Sequence, residues 1–123
     1  MTDGFIRRAL WTSVAFNLGG ALLFAFPSSI GRLAGLPTPV PPVYCMLLVW
    51  FVLLFGGSYA WLASQRTIDR PMVALAAIGK AGAFAVVFLC WLVGAVPAFA
   101  VLAIVGDLVL ALVFARWLVS TAA

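Results

Sequence analysis

The chain has 123 residues, of which 67% are hydrophobic and only 8% charged, with a net charge of +4 and no histidine. So few charges cannot wet the surface of a soluble domain of this size, and no basic cluster or stacking platform points to nucleic acid. A mean hydropathy of +1.26 instead predicts a membrane protein folded as one domain, because a helix needs ~20 apolar residues to cross ~30 Å of hydrocarbon.

The first apolar stretch runs from Arg8 to Phe26 and stops at Pro27. Arg7-Arg8 before an apolar run has the look of a secretory signal, yet the run is long and Phe24-Ala25-Phe26-Pro27 is a poor cleavage site. A retained first span (8–26) is expected. The connection from Pro27 to Pro42 is the longest and holds five of the seven prolines. Its first part, Ser28 to Leu36, suits a short helix in the membrane interface, with Arg32 reaching headgroups. Its second part, Pro37-Thr38-Pro39-Val40-Pro41-Pro42, suits a stiff extended linker. A plain tether, a lid over a substrate and a docking edge for a partner are all compatible with that composition.

The second span (43–64) follows those prolines. The third (71–94) opens on Pro71, a favoured first helical position, and ends near Gly94. The fourth (96–118) returns to Leu118. The last two connections are short, which favours antiparallel neighbours. The expected fold is therefore all-α, an integral membrane four-helix up-and-down antiparallel bundle.

Orientation follows from the cations. Four spans put the N-terminus, the second connection and the C-terminus on one side, with Arg7, Arg8, Arg66, Arg70 and Arg116; Arg32 stands alone on the other. The positive-inside rule then predicts both termini in the cytoplasm, multi-pass in a bacterial inner membrane. Trp11, Trp61 and Trp117 fall near the cytoplasmic ends and Tyr44 and Trp91 near the outer ends, where aromatic belts sit.

Two ionisable residues lie deep inside these spans. Lys80 is about 13–14 Å from the start of the third span and Asp107 roughly 15 Å from the start of the fourth, at ~1.5 Å of rise per residue. In a ~30 Å core these depths coincide. Asn17 reaches a similar level, and Ser58 and Tyr59 lie somewhat nearer the cytoplasm. Small residues at spacings of three and four accompany each: Ser13-Asn17-Ala21, Gly57-Ala60-Ser64, Ala76-Lys80-Ala83 and Ala100-Ala103-Asp107-Ala111. Such stripes line helix–helix contacts in membranes, so the polar groups are expected to face inward.

Three roles stay open for Lys80 and Asp107. They can form a buried pair, hydrogen-bonded to Asn17 and Tyr59, that fixes the register of four slippery helices. They can couple a proton or ion, or anchor a small polar head. Or they never meet, Lys80 snorkelling to cytoplasmic water and Asp107 protonated or paired with another subunit.

Cys45 and Cys90 both lie toward the outer ends of their spans and are either free apolar thiols or a disulfide or redox pair. The glycine pairs lack a P-loop or dinucleotide context and read as packing sites. With neither histidine nor glutamate present, a metal centre and a Ser-His-Asp triad are excluded on ordinary ligands, so no cofactor and no enzyme activity are expected. A faint repetition sets Asn17-Leu18-Gly19-Gly20-Ala21 beside Gly79-Lys80-Ala81-Gly82-Ala83, as a two-helix unit used twice would.

Asn17-Leu18-Gly19-Gly20, a proline-broken outer connection, Phe55-Gly56-Gly57 and Gly106-Asp107 together resemble the DoxX-like group of small four-span bacterial membrane proteins. That resemblance implies a four-span architecture over nearly the whole chain and, for some members, service as a membrane subunit beside redox enzymes. It implies no catalytic residues. The expected function is an accessory or structural subunit of a membrane complex or homo-oligomer. A small-molecule or ion carrier or channel using Lys80 and Asp107 is the first alternative, and a quinone- or lipid-linked redox component using Cys45 and Cys90 the second.

Overall fold

The computed structural model describes residues 3–122. Four long helices carry the chain: α1 (Asp3–Ala25), α2 (Pro42–Ser64), α3 (Arg70–Leu92) and α4 (Ala98–Ser120). No strand occurs among the described residues. Local chemistry sets their ends. Pro27 lacks the N–H that would continue α1, and Pro42 begins α2 where that N–H is not needed. Asp69 caps α3 by accepting from the Met72 N–H at 3.2 Å, with Pro71 in the first turn. Pro97 starts α4 after a turn in which Gly94 takes a positive φ of 80°.

Three of the four helices, α2, α3 and α4, are long and apolar enough to cross a membrane. The first helix begins five residues before the expected span. It thereby takes in Asp3, Arg7 and Arg8 as well as Asn17.

One apolar cluster tells how the helices run. It joins Ile6, Ala9 and Leu10 from the start of α1 to Tyr59, Leu62 and Ala63 from the end of α2. Val73 and Ala76 come from the start of α3, and Leu110, Phe114 and Trp117 from the end of α4. Starts meeting ends means that the helices alternate in direction, and that the core sits in the half carrying both termini. In the far half burial is sparse. Beyond Lys80, α3 has no buried residue, and there α1 offers only Ala21, α2 only Cys45 and α4 only Ala100. Along their length α1 packs on α2 and α3 on α4, with α1 touching α4 between the pairs.

The connection between α1 and α2 holds a short helix where one was expected, though it opens in π rather than α form. Pro27–Gly31 forms a π turn, closed by the Gly31 N–H on the Phe26 carbonyl at 3.0 Å. Gly35 then takes a φ of 88°, a conformation glycine adopts without strain, and lies against Pro97 and Ala100. The segment thus folds back over the start of α4 rather than spreading away from the helices.

Candidate functional site

Lys80 and Asp107 sit near the middle of α3 and α4, on the helix faces that the small-residue stripes mark. The Lys80 Nζ donates to Asp107 Oδ1 at 2.8 Å and to Asn17 Oδ1 at 3.3 Å. Three helices therefore converge on one ammonium. Its side chain is 3% exposed, against 13% for that of Asp107. A charge so placed costs several kcal/mol to desolvate, and here hydrogen bonds offset that cost. Asn17 completes a relay, because its Nδ2 donates to the Val52 carbonyl of α2 at 3.0 Å.

Aromatic rings finish the enclosure. The ammonium lies 5.1 Å from the Tyr59 ring centroid and 5.5 Å from that of Phe16, within reach of their negative faces. Phe16 can lie there because residue 106 is glycine: a Cβ at that position would collide with the ring. Gly56 plays a milder version of this role, since a Cβ there would stand 3.3 Å from that of Asn17. Tyr59 is buried and contributes its ring, but its hydroxyl does not bond to Lys80 or Asp107. That corrects the expected hydrogen bond from the phenol.

Ser58 lies outside the cluster. Its hydroxyl donates to the Leu54 carbonyl of its own helix at 2.9 Å, which removes its need for an interhelical partner. Cys45 and Cys90 are both free thiols. Among the described residues no group of three His, Cys, Asp or Glu side chains could hold a metal ion.

Two hollows lie nearby. One of about 250 Å³ opens between α1 and α2 over Asn17, Val52, Gly56 and Gly57. The other, of about 20 Å³, lies in the α2–α3 seam beside Ser58, Tyr59 and Ala76. Neither is lined by Lys80 or Asp107.

Compared with known proteins, the chain matches no family model, no curated protein and no solved structure. The functional argument therefore stands on the geometry.

Residues that the sequence marked only as cations or a belt aromatic on one side complete the picture. Arg7 in α1 donates to the Ala63 carbonyl at 2.6 Å, to the Arg66 carbonyl at 2.8 Å and to the Gln65 carbonyl, so it satisfies the bare end of α2. Arg70 in α3 treats α4 likewise, donating to the Leu118 carbonyl at 2.7 Å and to the Thr121 hydroxyl. Its guanidinium also lies over the Trp117 ring at 5.5 Å. The indole N–H of Trp117 is buried with no acceptor among the described residues.

These contacts set the register of the internal repeat. Arg7 matches Arg70 as Asn17 matches Lys80, 63 residues apart. In the second helix of each pair, Pro42 matches Pro97, Ala63 matches Leu118 and Val52 matches Asp107. Asn17 donating to the Val52 carbonyl is thus the counterpart of Lys80 donating to the Asp107 carboxylate. The expected alignment set Asn17 against Gly79 and was one residue out of step. Small residues match at many offsets, whereas the arginine caps match at one.

Proposed function

We propose that this chain is a four-span protein of a bacterial inner membrane, with both termini cytoplasmic. It would serve as a non-catalytic accessory or structural subunit of a membrane complex or homo-oligomer. Three apolar helices support multiple crossings, and α1 runs alongside them with its charges confined to its first two turns. The arginines gathered at the end carrying both termini support the orientation. The likeness to DoxX-like proteins is retained within this proposal.

The observation that carries the reading is the closure around Lys80. Asp107, Asn17, Phe16 and Tyr59 occupy the surroundings of the ammonium, and Lys80 lines neither hollow. A carrier or channel built on this lysine needs a water route to mid-span. An ammonium held by acceptors from two other helices favours instead a lock that holds α1, α3 and α4 in one register. Little of each helix is used inside the chain: 17% of the apolar window of α2 and of α3, and 22% of that of α4, is buried. The rest is free for lipid or a partner. With both thiols free, the redox alternative has the least support.

The test is a double-mutant cycle on the full chain in mild detergent, with oligomeric state read by native mass spectrometry. Lys80→Met and Asp107→Leu should each reduce the folded fraction, and the pair of changes together should restore most of it. Failure of the double variant to recover would remove the lock. A partnerless monomer would count against the subunit role. If the refolded double variant had lost a measurable ion or solute flux, the carrier reading would replace this one.

A further inference from the structure

The lock is not equally closed on its two sides. Among the described residues, Asp107 has one hydrogen-bonded oxygen, Oδ1, and no donor reaches Oδ2. That oxygen is also not among the sealed, unpartnered atoms, so a small probe can touch it. Helical side chains lean toward the N-terminus of their own helix. Lys80 therefore leans into the packed half that carries the termini, and Asp107 leans toward the far half, where few residues are buried. One turn further along the same face of α4, roughly 6 Å away at ~1.5 Å per residue, stands Ala103, which is small and exposed. Beyond it Ala100 is buried, with Gly35 of the returning segment and Pro97 against it. Exposure on this face of α4 thus begins one turn from the carboxylate, while Gly35 and Pro97 lie over Ala100 toward the far end.

We infer that Asp107 Oδ2 and the window at Ala103 form a binding site for an uncharged, hydroxyl-bearing amphiphile entering from the lipid phase. The inference rests on the membrane reading above but not on the lock. The chemistry follows from charge and access. Lys80 already neutralises the carboxylate, so a cationic ligand would bring an uncompensated charge into low dielectric, whereas a neutral hydroxyl supplies the missing donor. The roof over Ala100 disfavours direct entry from water. The window faces hydrocarbon, so the ligand needs an apolar body.

The experiment uses the full chain in phosphatidylcholine nanodiscs. Lipid-soluble dicyclohexylcarbodiimide and a water-soluble carbodiimide are compared, with modification read by peptide mass at Asp3, Asp69 and Asp107. Farnesol and its methyl ether serve as competitors with the same apolar body. The lipid-soluble reagent should mark Asp107 and the water-soluble one only Asp3 and Asp69. Farnesol should protect Asp107 while the ether should not. Ala103→Leu, which leaves the ion pair in place, should lower Asp107 modification roughly tenfold, the scale on which added methylenes discriminate in an apolar pocket. Lys80→Met in the same comparison frees the carboxylate from its partner, so that access is read separately from the reactivity of a paired group.

Equal marking by both reagents would make the occupant water and overturn the proposal. Asp107 left unmarked even in Lys80→Met, indifference to Ala103→Leu, or equal protection by alcohol and ether would each do the same. None of these outcomes touches the double-mutant cycle that tests the lock.

Discussion

The two helical pairs share one frame and differ at its centre. In α1–α2 an arginine in the early part of the first helix holds the end of the second, and a neutral Asn17 donates to a backbone carbonyl at mid-length. In α3–α4 the same arginine cap returns, but the mid-length contact is an ammonium on a carboxylate. The first pair uses polar atoms that any helix has. The second adds two charges that neither of its helices could bury alone. What joins the pairs is the mismatch between them: Lys80 has donors to spare, and Asn17 has an oxygen to receive one. The difference teaches that a repeat need not keep its chemistry to keep its geometry.

Removing either mid-length donor should break this comparison most sharply. Lys80→Met strands a buried carboxylate and should cost ~3–5 kcal/mol of unfolding free energy in detergent titration. Asn17→Leu removes one hydrogen bond from the ammonium and one to a backbone carbonyl but leaves the ion pair in place, and should cost ~1–2 kcal/mol. Equal losses would mean that the charges are no more than a second polar contact.

An effect smaller than that of Lys80→Met is expected from Gly106→Ala, whose methyl group would push into Phe16 and cost ~1–3 kcal/mol by overpacking. The combined Gly106→Ala and Phe16→Leu variant should regain part of that loss in the same titration. Gly57 has open space where a Cβ would point, so Gly57→Ala is the matched control and should leave stability unchanged.

The smallest effect should come from the caps. Arg7→Gln and Arg70→Gln should each cost ~1 kcal/mol, since exposed ends can turn to water, and the two losses should add because the sites share no partner. Hydrogen exchange at residues 63–66 in one variant and 118–121 in the other would show whether each cap guards only its own pair.

Much of the centre was legible because charge is scarce. In segments so apolar, Lys80 and Asp107 stand out, and counting helical rise brings them and Asn17 to one level. Phe16 was not legible: one aromatic among many in an oily chain carries no mark of its own, although Gly106 beside Asp107 hinted at a close neighbour. Ser58 misled for the opposite reason, since a hydroxyl in a helix can satisfy itself on the carbonyl a turn back. Arg7 and Arg70 could be counted as charges on one side, but their grip on helix ends depends on where the neighbouring helix stops. The segment from Pro27 to Pro41 shows the same limit. Its prolines announced irregular backbone, while its return over Ala100 depends on a contact made far along the chain.

The arginine caps also bear on how much the covalent link between the pairs matters. Each pair is closed at its end by a guanidinium drawn from within that pair, and Arg7 grips nothing beyond Arg66. A backbone severed between Arg66 and Thr67 would leave two self-fastened halves, each carrying its own share of the polar centre. Continuity at that joint raises the local concentration of one half around the other. The recognition itself is written in Asn17, Lys80 and the rings that flank them.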